Sequence, residues 1–444
     1  MGSIAAAPYI TATNSKAQYH YAAFFGRIGF DWGGKYIVNI TGRRDASSRF
    51  GSGNRFANFG AVGAAWIFSK EPFIKNALSF LSFGKLRGSY GSTGNDQIGN
   101  YQYLDTYKNT IYAYQSQPGL TPARLFNSKY SWEENKKLEL AAELGFFEDR
   151  LIVNLNYYKN KSGNQIIRYS LPAQTGFTNI LMNFPGIVQN TGYELSVNAE
   201  IIRNKNFQWA AAFNITHNKN TLVSFPGLAN SSYASSYVIG KPLNAYRGLH
   251  FTGVDAQTGI YQFQDLNKDG MIHNDDYAYT GTTDPKYYGG FSNTISYKKF
   301  QLNILLEFRK QLGQDIVYSY SGLLGGLINQ PVYTLNRWRN PGDVTPYQKY
   351  SQDYSGVAYL ATNNVSQSDA ILTDASYIRL KNIVLSYNFP AAWLKPLKIS
   401  NWKVFVQVQN LLTITGYKGN DPENQSISSL PPLRMITAGT LVNF

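Results

Sequence analysis

The sequence predicts an all-β protein, an antiparallel transmembrane β-barrel of which this chain supplies about 13–14 strands. Three observations support this fold class. Many segments alternate between apolar and polar residues, most of these segments exceed the ordinary strand of about 5–6 residues, and short turns alternate with long loops between them. No run of about 18 apolar residues is present, so the sequence holds no candidate transmembrane helix.

The alternation is clear at 402–409, where Trp402, Val404, Val406 and Val408 occupy every second position. Lysine and glutamine residues lie between most of them. The same pattern recurs at 151–160, 193–201, 207–216 and 301–309. A period of two places all the apolar side chains on one face of a strand and the polar ones on the other.

Thirteen segments meet these criteria, and most of them are long enough to cross a bilayer at a tilt, which takes about 9–11 residues. Segments 98–110 and 246–264 are further candidate strands, so the number of strands is uncertain by one. We expect strands near residues 18–32, 35–45, 56–69, 82–92, 131–147, 150–162, 188–202, 206–222, 286–298, 300–318, 375–389, 399–416 and 433–444.

The connections between these segments fall into two classes. The short ones are expected at 33–34, 70–81, 148–149, 203–205, 299 and 390–398, and the long ones at 46–55, 93–130, 163–187, 223–285, 319–374 and 417–432. Bacterial outer-membrane barrels have short periplasmic turns, long extracellular loops and an even number of strands. Since thirteen is odd, we expect residues 18–444 to be the C-terminal part of a larger barrel and residues 1–17 to be the remnant of an extracellular loop.

The composition agrees with a membrane barrel and disfavours several other classes. Tyrosine, which suits membrane interfaces, occurs 34 times, and charged residues make up only 15%. The net charge of +14 comes from dispersed basic residues, so nucleic-acid binding is not expected. The chain has no cysteine, which excludes disulfides and thiolate metal sites.

Four segments and the C-terminus carry a specific combination of motifs. They read RRDASSRFGSGNRFANF at 43–59, KLRGSYGSTGNDQIG at 85–99, DASYIRLKNIVLSYNF at 374–389, FVQVQNLLTITGYKGNDP at 405–422 and PPLRMITAGTLVNF at 431–444. Together they resemble the SusC/RagA family of TonB-dependent transporters. The resemblance extends from about residue 20 to Phe444.

This resemblance implies a barrel of about 22 strands in a Bacteroidetes-type outer membrane, with a plug and earlier strands that are not found among these residues. It also implies import of glycan fragments or peptides, driven by the TonB complex and assisted by a SusD-like surface lipoprotein. The residues alone leave open a passive outer-membrane pore and a surface glycan-binding all-β protein. An enzyme is not expected, because none of the four histidines lies in a catalytic motif.

One loop has the spacing of a Ca²⁺-binding site. Side-chain oxygens of Asp265, Asn267 and Asp269, the backbone carbonyl of Met271 and the carboxylate of Asp276 occupy loop positions 1, 3, 5, 7 and 12. Hard oxygen ligands at these positions, with glycine at position 6, suit Ca²⁺ in a structural role. The alternative is an ordinary turn rich in Asp and Asn.

The last strand carries a candidate signal for the barrel-assembly machinery. Its apolar face would consist of Ile436, Ala438, Thr440, Val442 and Phe444, which end in a terminal aromatic residue that faces membrane lipids. The alternative is an ordinary last strand whose phenylalanine lies at the interface.

Two further features remain open. The segment WRNPGD at 338–343 is either an element near the lid, as the resemblance suggests, or a cap and turn. His217 lies in a predicted strand and is expected in the lumen or at the rim.

Overall fold

The computed structural model describes residues 16–110, 112, 115, 117, 119–320, 322–425 and 429–444. Most of the predicted loop remnant 1–17 lies outside the described residues. The strands are, in chain order, β1 (Tyr21–Trp32), β2 (Tyr36–Ser47), β3 (Phe56–Trp66), β4 (Leu81–Asn95), β5 (Thr106–Asn109), β6 (Leu120–Arg124), β7 (Glu133–Phe146), β8 (Leu151–Gly163), β9 (Ile166–Ser170), β10 (Asn179–Asn183), β11 (Ile187–Arg203), β12 (Phe207–Ser224), β13 (Ala245–Gly248), β14 (Phe251–Val254), β15 (Tyr261–Phe263), β16 (Ala278–Thr282), β17 (Tyr287–Tyr297), β18 (Phe300–Lys310), β19 (Leu312–Gln314), β20 (Leu372–Asp374), β21 (Tyr377–Asn388), β22 (Asn401–Thr415) and β23 (Met435–Asn443).

Thirteen of these strands form one sheet in which each strand pairs with its neighbour along the chain in antiparallel fashion. Their order is β1, β2, β3, β4, β7, β8, β11, β12, β17, β18, β21, β22 and β23. The other strands form small two-stranded sheets in the long loops. The predicted all-β barrel fold is confirmed, and the segments 98–110 and 246–264 contribute loop hairpins instead of barrel strands.

One predicted strand, 300–318, is too long. The barrel strand β18 ends at Lys310 and is followed by the short strand β19 and the helix α2 (Ile316–Tyr320). Asp315 begins this helix, since its Oδ1 accepts hydrogen bonds from the backbone N–H of Val317 at 2.8 Å and of Tyr318 at 3.1 Å. A side chain that satisfies the free N–H groups at a helix start favours a helix over continued extended backbone.

The strand register separates the two faces of the sheet. Leu195 of β11 lies opposite Leu155 of β8 and Ile215 of β12, whereas Glu194 lies opposite Asn156 and Thr216. We call the side that carries the leucines the outward face and the side that carries Glu194 the lumenal face. An apolar outward face suits lipid, because only membrane hydrocarbon makes its exposure favourable.

The two ends of the sheet differ as predicted. Short turns connect alternate strands at one end, and Gly33 and Gly34 adopt positive φ angles in the turn between β1 and β2. This end also carries the helices α1 (Pro72–Ala77) and α4 (Ala391–Leu394). The long loops at the other end carry α2 and α3 (Val357–Val365). No helix among the described residues is both long and apolar enough to cross a membrane.

Most of the buried apolar side chains among the described residues lie in and next to the long loops. Three clusters are centred on Phe50 with Trp132, on Phe184 with Phe225, and on Tyr261. The rings of Phe184 and Phe225 lie 4.7 Å apart in an edge-to-face arrangement. The loops that contribute to these clusters therefore share small aromatic cores that hold them in place above the barrel.

Candidate lumenal site and extracellular loops

The lumenal face contains a polar cavity of about 740 Å³ against strands β4, β7, β8, β11 and β12. The polar side chains in its lining can donate or accept hydrogen bonds. They include Lys137, Glu139, Asn156, Tyr158, Asn160, Asn190, Glu194 and Asn218. A concave surface with several convergent polar groups is the usual form of a site for a small polar ligand.

The charges next to this cavity, on the side of the short turns, neutralise each other. Arg87 donates to Glu139 at 2.6 Å, to Glu143 at 2.9 Å and to Asn156 at 3.3 Å. Lys85 also donates to Glu143, at 3.3 Å. This network fixes the positions of the carboxylates, so that they present an ordered surface to the lumen.

Two groups in the cavity remain available to a ligand. The Oδ1 atom of Asn218 is buried and has no hydrogen-bond partner among the described residues. Lys137 is exposed and forms no salt bridge within the described part of the chain. A buried polar atom without a partner is unfavourable by about 1–3 kcal/mol, and a polar ligand that supplied the missing hydrogen bond would remove that cost.

An ionic cluster in the lumen anchors the loop between β22 and β23. Arg379 of β21 is buried and donates to Asp421 at 2.5 Å, to Glu423 at 2.5 Å and to the hydroxyl of Thr413 at 2.9 Å. Lys381 bridges Glu423 to Glu307 of β18. The sequence alone did not reveal this cluster, although Asp421 belongs to one of the quoted motifs.

The segment WRNPGD at 338–343 forms a turn that fastens one long loop to another. Asp343 accepts hydrogen bonds from the backbone N–H of Arg339 and Asn340, both at 2.9 Å. The indole N–H of Trp338 donates to the carbonyl of Ala256 at 2.9 Å. These contacts favour the interpretation as a cap and turn. These contacts hold the long loops 223–285 and 319–374 together.

Tyrosine side chains pack in the core that these two loops share. Tyr318 and Tyr347 pack 5.4 Å apart at the core around Tyr261. Burial raises the pKa of Tyr347 to about 12, and burial also raises the pKa of Tyr318. Both side chains therefore stay neutral at physiological pH and act as packing groups.

The predicted Ca²⁺ loop is compact and hydrogen-bonded to itself. Asp265 accepts from the backbone N–H of Lys268 at 2.6 Å and of Gly270 at 2.8 Å. Asp276 is covered by its own loop and accepts from Leu266 at 2.8 Å and from His273 at 3.0 Å. These bonds from backbone N–H groups hold the pKa of the Asp276 carboxyl below its usual value.

A third carboxylate of this loop pairs with a histidine. Asp269 accepts from the backbone of Met271 at 2.8 Å, from the amide of Asn267 at 2.9 Å and from the His273 ring at 3.0 Å. Among the described residues, no group of three or more histidine or acidic side chains is gathered to hold a metal ion. The Ca²⁺ site therefore stays a prediction from the sequence.

The last strand lies as expected in the sheet. Within β23, Ile436, Ala438, Thr440 and Val442 pair with the alternate residues of β22 that form its apolar face. Phe444, just after the strand, is 90% exposed. This geometry places the terminal aromatic on the surface of the short-turn end. Its role in assembly stays a prediction.

Comparison with known proteins then identifies the family. The family described as TonB dependent receptor-like, beta-barrel matches residues 2–411. The chain belongs to this TonB-dependent receptor family. Its members are β-barrels of the bacterial outer membrane, and the resemblance to the SusC/RagA group is confirmed by the relatives.

Two curated relatives show the similarity. TonB-dependent receptor P3 of Formosa agariphila is 30% identical over 429 residues, which cover 90% of this chain and 41% of the relative. TonB-dependent receptor SusC of Bacteroides thetaiotaomicron is 28% identical over 440 residues, 94% of this chain and 42% of SusC. The chain thus spans less than half the length of the curated relatives it matches.

A solved structure agrees with the barrel fold described above. The RagAB peptide transporter superimposes with a TM-score of 0.81 at 26% sequence identity, over 98% of this chain and 49% of that chain. The structure of the RagAB peptide importer in the open-open state gives the same TM-score. The thirteen-stranded sheet is therefore a part of a TonB-dependent receptor barrel.

Proposed function

We propose that this chain forms part of a TonB-dependent outer-membrane transporter of the SusC/RagA type. The observation that carries the proposal is the superposition with the RagAB peptide transporter over 98% of the chain. The polar lumenal cavity supports it further, because a transporter must present polar groups along the path of a polar substrate. The relatives are receptors and transporters, which argues for a protein that is not an enzyme.

The proposed substrates are glycan fragments or peptides. Either class offers many hydroxyl, amide or carboxyl groups, and these match the mixed donors and acceptors of the lumenal cavity. Lys137 could bind a carboxylate or a hydroxyl, and Asn218 could accept from an amide or a hydroxyl. Within the substrate path, these two side chains are the ones we expect to contact the ligand.

We also propose a SusD-like lipoprotein as the partner on the extracellular side and the TonB complex as the source of energy. The relation to SusC and to the RagAB transporter supports both. The aromatic cores that fix the long loops would give such a partner a rigid surface. Co-purification from outer membranes, with a tag on the receptor, would identify the lipoprotein by mass spectrometry.

Binding to the purified receptor tests the substrate path. Calorimetry with a defined oligosaccharide mixture and with a defined peptide mixture should give binding in one of them. The variant Lys137→Gln, Asn218→Ala should bind that mixture roughly tenfold more weakly, since a lost hydrogen bond to a charged group is worth about 1.5–3 kcal/mol. The matched control is Lys205→Gln, Asn204→Ala in the short turn between β11 and β12, which should bind normally.

Uptake in cells separates import from the two alternatives. Uptake of the labelled mixture should stop when TonB is deleted. Uptake that continues without TonB would identify a passive pore. Surface binding without any uptake would identify a surface glycan-binding protein, and either result would overturn the import proposal.

A further inference from the structure

An apolar groove of about 660 Å³ crosses the outward face at β4, β7, β8, β11 and β12. Ala142 lies in it between two leucines, Leu86 and Leu155, which are its partners on the neighbouring strands. The small side chain between larger ones leaves a depression in the surface. These strands are the fourth to eighth of the thirteen in the sheet, so they lie away from both of its edges.

Aromatic side chains border the groove toward the long-loop end. Tyr157 and Tyr193 are paired across β8 and β11, with ring centroids 5.1 Å apart, and His217 lies opposite Tyr193. His217 thus lies at the outer rim of the barrel and not in the lumen. Tyrosines at this level are typical of the boundary between hydrocarbon and headgroups.

Four lysines follow on the same face, one or two steps closer to the long loops. Lys159 and Lys161 follow Tyr157 on β8, Lys136 lies directly opposite Lys161, and Lys219 follows His217 on β12. Glu134 lies 3.5 Å from Lys136. Among the described residues, Lys159, Lys161 and Lys219 form no salt bridge.

These lysines are close enough together to bind one anionic group. Lys159 and Lys219 lie on strands separated by one other strand, so their backbones are roughly 10 Å apart. Like charges directly opposite each other in a sheet, as in the pair Lys136 and Lys161, are destabilising, and an anion between them would offset that cost.

The height of the lysines in the membrane agrees with headgroup contact. From Leu151, where β8 begins, to Lys159 is eight residues. At ~3.3 Å per residue and a tilt of ~40°, this distance spans ~20 Å along the barrel axis. The apolar band of such barrels is about 25 Å tall, so with the band starting at Leu151 the backbone of Lys161 lies at its extracellular border and that of Lys159 lies ~5 Å below it, within reach of a lysine side chain.

We propose that this outward face binds one phosphorylated lipid of the outer leaflet, a lipid of the lipid A class. Its acyl chains would fill the groove around Ala142, and its phosphate would lie among Lys136, Lys159, Lys161 and Lys219. The outward face at this depth is surrounded by lipid, and an apolar groove below a basic patch is complementary to an amphiphile with a negatively charged headgroup.

The test uses the receptor purified from outer membranes in detergent and freed of lipid. Native mass spectrometry then follows its titration with diphosphoryl lipid A. We expect one tightly bound lipid A per barrel. The variant Lys136→Gln, Lys159→Gln, Lys161→Gln, Lys219→Gln should bind it roughly tenfold or more weakly, since each lysine near an anionic lipid contributes about 1 kcal/mol.

The matched control removes the same charge from the other end of the barrel. Lys298, Lys299, Lys395 and Lys398 are exposed in the short turns, and their replacement by glutamine should leave lipid A binding unchanged. A second variant, Ala142→Trp, fills the groove, keeps the lysines and should also weaken binding. Folding of each variant is checked by its heat-dependent mobility in gels, so Ala142→Trp carries the test if the fourfold variant does not fold.

Three results would overturn the proposal. The first is unchanged affinity in the folded lysine or Ala142→Trp variants. The second is equal binding of lipid A from which the phosphates have been removed, or of phosphatidylglycerol. The third is an equal loss of affinity in the short-turn control, which would show attraction to overall positive charge instead of a site.

Discussion

Arg379 is the buried cation on which the loop between β22 and β23 depends. Its side chain is only 1% exposed, and that of its partner Asp421 is 4% exposed. Two buried charges are costly to remove from water, and a favourable arrangement requires that both stay paired. The contact therefore fixes the loop in the lumen only while all of its members are present.

We predict that Arg379→Met releases this loop. Loss of one partner of a buried pair typically destabilises by about 3–5 kcal/mol, because the other charge is left without compensation. Limited proteolysis should cleave within 416–434 in the variant and not in the parent protein. The variant Lys310→Met removes an exposed pair of 2.6 Å with Asp374 and should cost at most about 1 kcal/mol.

Neutralising the whole cluster distinguishes this explanation from a loss of packing. Arg379→Met combined with Asp421→Asn and Glu423→Gln leaves no buried charge unpaired, so it should restore much of the resistance to protease. A triple variant as sensitive as Arg379→Met alone would contradict the electrostatic explanation.

Asp374, at the end of β20, gives a prediction about pH. The ammonium group of Lys310 and the hydroxyl and backbone of Ser376 hold its pKa at about 2. Since this value lies below that of an unfolded aspartate, the contact stabilises the antiparallel pair of β19 and β20 above about pH 4 and is lost as the pH falls toward 2. The protection factors for hydrogen exchange in this strand pair, which correct for the pH dependence of intrinsic exchange, should therefore fall over this range.

The control for this effect is Asp374→Asn. Protection factors in that variant should be lower at neutral pH and should change little between pH 4 and 2. Because the side chain of Asp374 is 59% exposed, the effect should be small. The same pH profile of protection in both proteins would show that another group titrates.

At the scale of elements, the barrel strands could be predicted from the sequence and the loops could not. Alternation is a local signal, and a lipid-facing strand such as β22 shows it in every second residue. The contact between Arg379 and Asp421 joins residues 42 positions apart, so no local pattern reveals it. The predicted strand 300–318 extends past the end of β18 because the apolar pattern contains no information about the helix cap that Asp315 forms.

The Ca²⁺ loop remains a prediction at this scale. Calorimetric titration with Ca²⁺ should show binding to the parent receptor and none to the Asp265→Ala, Asp269→Ala variant. The reason is that these carboxylates supply two of the five expected ligands. The control is Asp255→Ala, since Asp255 lies in a neighbouring turn. Identical traces for the parent and the double variant would remove the site.

We predict that loss of Phe444, which follows the last strand, impairs assembly of the barrel. Removal of Phe444 should lower the amount of receptor in the outer membrane severalfold and leave its synthesis unchanged, because the barrel-assembly machinery would lose its terminal aromatic. The matched control is Phe147→Ala, which removes an exposed aromatic side chain from a short turn at the same end. Equal loss with this control would indicate interface anchoring instead of a signal.

At the scale of the whole molecule, the two faces and the two ends of the sheet differ in what they contact. The outward face gives lipid contact, the lumenal face gives polar contact, and the long loops give the rigid extracellular surface. The covering of one face by lipid explains why the buried apolar clusters lie in the loops: the strands obtain their apolar environment from the membrane. Alternation in the strands and aromatic residues in the loops therefore have one common cause.

The two edge strands of the sheet determine how well these residues alone can insert into a membrane. Among the described residues, β1 and β23 each pair on one side only. In lipid, each unpaired backbone group costs several kcal/mol, so a polypeptide of these 444 residues alone should insert poorly into liposomes. Protease protection and heat-dependent mobility in gels should both be absent.

Closure of this sheet on itself would not remove the cost easily. With thirteen strands in alternating directions, β1 and β23 run in the same direction, so a closed barrel would need one parallel pair. Bacterial single-chain barrels have even strand counts, which makes every pair antiparallel. Channel activity of the 444-residue polypeptide that responds to ligand would contradict this argument, since it would require a closed and selective barrel from these strands alone.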